Sequence, residues 1–196
     1  MTRPAVFLDR DGVLTELVLD PASDTFESPL RPEDVALIPG AAEAARSIAR
    51  AGFLLVGVTN QPAAAKQTVS LDVLEAVQAT VVALLADRGV VFDAWRICPH
   101  HPEGTDPVLG GDCDCRKPAP GMLISAAREL GIDLADSWMI GDTDADVTAG
   151  RAAGCRTILI ELAPSTHKRS ARVTPDRRVW DLAEAASVLL SGKSDC

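Results

Sequence analysis

The stretch A5-V6-F7-L8-D9-R10-D11-G12-V13-L14 decides how the chain reads. Four apolar residues stop abruptly at two carboxylates, Asp9 and Asp11, separated by one residue. An uninterrupted apolar run of this length fits a strand buried on both faces, as in a parallel sheet. Like charges so close together repel, so something must separate or neutralise them. Alternate strand residues point the same way, which puts Asp9 and Asp11 on one side and turns Arg10 elsewhere.

Similar runs recur at 53–58, 138–140 and 157–160. Between them lie helix-like stretches at 40–51, 70–88, 120–130, 145–153 and 181–191. Ser70 is placed as an N-cap, Asp181 and Glu184 have capping-box spacing, and glycines 52, 89, 131, 154 and 192 stop the helices. Segments 20–39, 98–118 and 163–177 read as loops. Strand and helix alternate along 196 residues, which predicts one α/β domain over 1–196, an open Rossmann-like parallel sheet with helices on both faces. In such sheets ligands bind beyond the carboxyl ends of the strands. Asp9 and Asp11, then Thr59-Asn60-Gln61 after FLLVGV, then Asp142 after SWMIG, all fall there.

A net charge of -9 argues against nucleic-acid or membrane-surface binding, which needs a basic face. No run approaches the roughly 18 apolar residues of a membrane span, and the amino terminus has no secretory pattern. The expectation is a cytoplasmic monomer whose partner is a small molecule, neither nucleic acid nor membrane.

A Mg²⁺ ion on Asp9 and Asp142 would resolve the repulsion, because it takes carboxylate, phosphate and water oxygens. Asp9 could then stay ionised and attack phosphorus, while Asp11 serves as general acid and base. The segment C98-P-H-H-P-E-G-T-D-P-V-L-G-G-D-C-D-C115 offers Cys98, His100 or His101, Cys113 and Cys115. Three thiolates and an imidazole make a closed zinc set, which reads as structural. A disulfide is the poorer reading in a reducing compartment. Folding of this loop by zinc would turn Arg116 and Lys117 toward a phosphate.

The motifs DRDGVL, VTNQ, RKPAPGM and MIGDTDAD, spread over residues 9–146, resemble the four motifs of the haloacid dehalogenase superfamily of aspartate-nucleophile phosphatases. With the cysteine-histidine loop, the chain is similar to the group of heptose bisphosphate and histidinol-phosphate phosphatases. That resemblance implies Asp9 as nucleophile, Asp11 as acid/base and Lys117 as charge screen. It implies substrate contacts at Arg10, Thr59, Asn60, Gln61 and Arg116, and Mg²⁺ held by Asp9, the Asp11 carbonyl and Asp142. Asp146 would support the site from behind, and His100 rather than His101 would complete the zinc set. It also implies a zinc loop (about 98–115) in place of a large cap domain. The leading substrate is D-glycero-D-manno-heptose 1,7-bisphosphate, with histidinol phosphate second. A nucleotide or nucleic-acid end is a third possibility, and an inactive zinc-containing interaction module is the reading from another class.

Two segments depart from that group. Pro62-Ala63-Ala64-Ala65-Lys66 stands where relatives carry a Ser-Gly stretch ending in Arg-Gly. The loop 15–34 lacks the usual aromatic Tyr. Lys66 is therefore a candidate distal phosphate contact or a solvated side chain. The basic cluster at 167–178 could touch a second phosphate or a nucleotide and reads first as a solvated loop, with His167 partnerless. Trp95, Trp138 and Trp180 read as core or rim packing, Glu75 and Glu129 as solvent-facing, and Cys155 as a small buried hydrophobe.

Overall fold

The structure, a computed structural model, describes residues 2–21, 24–170 and 172–191. Gly192 and Cys196 lie outside the described residues. In chain order the elements are β1 (Ala5–Leu8), β2 (Val18–Asp20), β3 (Thr25–Glu27), α1 (Ala41–Arg50), β4 (Leu54–Asn60), α2 (Leu71–Asp87) and β5 (Ala94–Cys98). They continue with α3 (Gly121–Leu130), β6 (Trp138–Gly141), α4 (Asp144–Ala153), β7 (Arg156–Ile160), β8 (Arg177–Val179) and α5 (Leu182–Ser191).

Six strands form one parallel sheet in the order β5-β4-β1-β6-β7-β8. The period-two geometry of a strand divides β1 between two cores. Val6 and Leu8 face a core built with α1, α2 and α5, while Ala5 and Phe7 face one built with α3 and α4. Helices therefore cover both faces, as the apolar runs predict. Ser70 caps α2 by accepting from the Val73 amide, and Asp181 accepts from the Glu184 amide at the start of α5. Among the described residues, no helix is long and apolar enough to cross a membrane.

Four strands go beyond the sequence expectation. β5 and β8 are sheet edges, and β2 and β3 pair with each other as a short antiparallel hairpin inside the segment read partly as loop. The hairpin is the small structure that stands over the strand ends.

The chain runs from β1 to β4 on one side of the sheet and returns to β6 on the other. That reversal opens a crevice at the carboxyl ends of β1 and β6. Leu8 is in register with Gly57 of β4 and with Ile140 of β6, and the Asp9 amide donates to the Ile140 carbonyl at 3.0 Å. The residues after these three strands are thus brought to one edge.

Candidate active site

Asp9, Asp11, Thr59, Asn60, Arg116, Lys117 and Asp142 line one cavity of about 310 Å³. Lys117 is buried in its floor. Its ammonium lies 3.0 Å from Asp9 Oδ1 and 2.6 Å from Asp146 Oδ1, and donates to the Val58 carbonyl at 2.8 Å. Burial alone would drive the proton off, but Asp146 and Asp9 outweigh it and hold the lysine charged above its ordinary range.

Asp9 responds the other way. Burial pushes its carboxyl up to about 7; Asp146 and Asp11 add to the rise, and Lys117 offsets part of it. Asp142 is pushed up to about 8 by burial and then by Asp9 and Asp146. Carboxylate oxygens of Asp9, Asp142 and Asp146 lie within 4.8 Å of one another. Among them, Asp142 Oδ1 is buried with no hydrogen-bond partner. A buried anionic oxygen without a donor is costly, and a divalent cation is the partner that this oxygen-rich group fits. Asp146 is occupied instead: Oδ2 accepts from the amide and hydroxyl of Thr143 at the start of α4, and Oδ1 faces Lys117. Asp146 thus joins the start of α4 to Lys117.

Gly12 makes this close approach possible. Its φ is +83°, and a Cβ there would sit 2.3 Å from Asp142 Oδ2. A side chain would therefore be both strained and in collision with the carboxylate.

Asp11 is separated from Asp9 by having its own cation. Arg10 Nε and Nη2 donate to the two Asp11 oxygens at 3.0 Å each, and Thr15 Oγ1 and Gln61 Nε2 donate at 2.8 and 2.7 Å. Burial would raise the Asp11 pKa, but the Arg10 charge and these hydrogen bonds win and hold it below the usual carboxylate range. The structure corrects the orientation expected of Arg10 and places three expected substrate contacts as follows. Arg10 is buried on Asp11 and Gln78 rather than turned away from Asp11, and it does not line the cavity. Gln61 is buried between Asp11 and Thr59 and is likewise outside the lining. Asn60 lines the cavity, but its amide is committed to the Lys117 backbone: Nδ2 donates to the Lys117 carbonyl at 2.9 Å, and Oδ1 accepts from its amide at 3.1 Å. The contacts of these three are thus to Asp11, Thr59 and Lys117.

A second cluster abuts the first. β4 and β5 pair so that Asn60 is beside Cys98. The sulfurs of Cys98, Cys113 and Cys115 and Nδ1 of His100 converge, with separations between 2.9 and 3.7 Å. His101 Nδ1 instead accepts from the Glu103 amide, which separates the two histidines that spacing alone leaves open. No disulfide joins these thiols, and Cys155 is buried and free. The cluster ends at Cys115, so Arg116 and Lys117 follow it directly into the cavity. Arg116 Nη1 donates to the His100 carbonyl at 3.1 Å, tying the two sites together.

Sequence reasoning missed Glu27 and Ser28, which line the same cavity, and Lys168 of the basic cluster lines it with them. His167 is not partnerless, since its Nε2 is 3.7 Å from Glu27 Oε1. Trp138 is buried under Arg156, and Trp95 stacks on Phe92, but Trp180 is 72% exposed and packs neither core nor rim.

Comparison with known proteins agrees with this geometry. A family model described as HAD-hydrolase-like matches residues 114–185. A D-glycero-β-D-manno-heptose-1,7-bisphosphate 7-phosphatase of Vibrio cholerae is 41% identical over 160 residues, 82% of each chain. The enzyme of that name from Pseudomonas aeruginosa is 34% identical over 97% of this chain and 99% of its own. The chain belongs to the haloacid dehalogenase superfamily of hydrolases. Within that superfamily, the solved structure of a heptose 1,7-bisphosphate phosphatase from B. bronchiseptica, complexed with magnesium and phosphate, superposes with a TM-score of 0.79. It is 30% identical and matches 96% of this chain and 99% of its own.

Proposed function

We propose that this haloacid dehalogenase hydrolase is a Mg²⁺-dependent phosphomonoesterase that removes the 7-phosphate of D-glycero-D-manno-heptose 1,7-bisphosphate through an aspartyl phosphate. The observation that carries the reading is Asp9 at the cavity floor, 3.0 Å from the Lys117 ammonium and beside the unpartnered oxygen of Asp142. Asp9 and Asp142, with the Asp11 carbonyl, would hold Mg²⁺, which when bound neutralises the carboxylates and the phosphate oxygens.

The residues divide the remaining work. An Asp9 oxygen attacks phosphorus, and the bond to the sugar oxygen breaks. Lys117 offsets negative charge on the transferring group, and Thr59 offers its hydroxyl hydrogen to it, since Thr59 Oγ1 already accepts from Gln61. Asp11 protonates the leaving oxygen and then takes a proton from the water that hydrolyses the acyl phosphate. Its lowered pKa suits the second half, which needs an ionised carboxylate.

The Cys98, His100, Cys113 and Cys115 donors hold Zn²⁺ in this reading. The donor set is the one a structural zinc takes, and it leaves no open position for water. Its role is to fold the loop that presents Arg116 and Lys117. The heptose substrate is preferred to histidinol phosphate because relatives matching most of the chain carry the heptose name. The complete set of Asp9, Asp11, Lys117 and Asp142 speaks against an inactive interaction module.

The test is turnover of heptose 1,7-bisphosphate and of histidinol phosphate with Mg²⁺, by wild type and by Asp9→Asn. Phosphate release from the heptose ester by wild type alone supports the proposal. Equal release by both proteins would refute it, and preference for histidinol phosphate would move the substrate.

A further inference from the structure

The cavity around Asp9 has a second set of charges at its rim. Lys168 ends the short 3₁₀ turn Ala163–Lys168 that follows β7, and its ammonium reaches Glu27 Oε2 at 2.7 Å and the Phe26 carbonyl at 3.4 Å. Glu27 ends β3, so this pair joins the hairpin to the far side of the cavity. Lys66, from the turn after β4, lines the same cavity. Its side chain is exposed and, among the described residues, has no carboxylate within ion-pair distance. With Arg116 the rim carries three cations against one carboxylate, Glu27. The floor has the opposite balance: Asp9, Asp142 and Asp146 against Lys117.

A charge layout with two ends fits a substrate with two anionic ends. The floor takes one phosphate together with a divalent cation, and the rim has cations left over. Glu27, Ser28, Pro62 and Lys66 also line a neighbouring groove of about 520 Å³, so there is room beyond the floor for the body of a polyol. Lys168 is about one-third exposed and Glu27 nearly half exposed. An ion pair so close to solvent is weak, and a phosphate dianion competes for the lysine with twice the charge.

We infer that Lys168 and Lys66 form a second anion subsite for the phosphate that is not transferred, and that Glu27 is the resting counter-ion which that phosphate displaces from Lys168. The inference rests on the phosphatase reading above and names the part of the site that selects a bisphosphate over a monophosphate.

The experiment compares KM and kcat for two matched pairs, heptose 1,7-bisphosphate against heptose 7-phosphate and fructose 1,6-bisphosphate against fructose 6-phosphate. Lys168→Ala should raise KM for the bisphosphate roughly tenfold and shift the monophosphate far less, with Lys168→Arg restoring most of the loss. Glu27→Gln should lower KM for the bisphosphate, because it frees the lysine. Arg172→Ala, an exposed cation of the same basic segment, serves as the control for general charge. Opposite signs for Lys168→Ala and Glu27→Gln support the subsite. The same sign in both, or equal shifts for the two members of a pair, means that the ion pair only fastens the hairpin, and the inference falls. If heptose bisphosphate is hydrolysed but Lys168→Ala has no effect, the subsite is wrong and the function stands. If only the fructose pair is discriminated, and through Lys168, the subsite stands and the heptose assignment fails.

Discussion

Raised pKa values on Asp9 and Asp142 make Mg²⁺ binding a competition with protons. In the metal-free protein these carboxyls titrate near 7 and 8. At pH 6 about one molecule in ten has Asp9 ionised and about one in a hundred has Asp142 ionised, so roughly one in a thousand has both. At pH 8 about nine-tenths and one-half are ionised, which makes a little under half ready. Affinity for Mg²⁺ should therefore rise by roughly 500-fold from pH 6 to pH 8, or about 4 kcal/mol. Calorimetric titration in two buffers of different ionisation enthalpy counts the protons released per metal. The count should be near two at pH 6 and about 0.6 at pH 8. A constant affinity over this range, with no proton release, would show that the floor is not the desolvated acidic cluster described here.

The sign for stability follows from the same groups. Both carboxyls have folded pKa values above their unfolded ones, so their burial costs little below about pH 4 and more as the pH climbs toward 8. Asp11 works the other way, contributing stability above its unfolded pKa that is lost as the pH falls below it. The metal-free protein should accordingly melt lower at pH 8 than at pH 5, and Mg²⁺ should recover the difference at pH 8 but add little at pH 5. Thermal melts with EDTA and with Mg²⁺ at each pH provide the check.

Three further outcomes are expected. Lys117→Met leaves Asp9 and Asp146 buried without their cation, so urea unfolding should show a loss of about 3–5 kcal/mol along with loss of turnover; a variant as stable as wild type would mean that the pair contributes nothing. Gly12→Ala forces a side chain onto Asp142 at positive φ, and should cost about 1–3 kcal/mol and weaken Mg²⁺ binding measured by calorimetry, whereas unchanged affinity would contradict the contact. Removal of Zn²⁺ by a chelator, followed by excess Mg²⁺, should leave the Mg²⁺ isotherm in place but lower kcat, because Arg116 and Lys117 lose their anchored loop; full activity in a protein shown to be zinc-free by elemental analysis would defeat this role.

The parts of the fold that were legible in the chain are those buried on both sides. β1, β4, β6 and β7 show as apolar runs because no face of them meets water. β5 and β8 did not show. They are edges, and Arg96, Arg177 and Arg178 break the apolar pattern there. The β2–β3 hairpin has three residues on each side and no core face, so nothing in its periodicity marks it. In the site, Asp9, Asp11 and Asp142 were legible because carboxylates follow the ends of buried strands, and Lys117 was legible only through the resemblance of its motif. Arg10 was not, because strand alternation turns neighbours apart, whereas Asp11 lies beyond β1 and the chain turns there. The Glu27–Lys168 contact joins residues 141 apart in the chain and has no local signature.

Two acids one residue apart coexist because the fold gives each a different cation. Arg10 grips both oxygens of Asp11 and keeps it ionised, while Asp9 receives a single contact from a lysine that it shares with Asp146. The same pair of neighbours thus acquires opposite pKa shifts. That difference sorts their chemistry. Asp11, with its oxygens filled by four donors, is a poor nucleophile and a suitable proton acceptor. Asp9 has its Oδ1 engaged by the Arg10 amide and Lys117, and its burial cost is relieved once a divalent cation arrives. In the proposed mechanism the nucleophile is therefore the carboxylate that the Arg10 guanidinium does not hold.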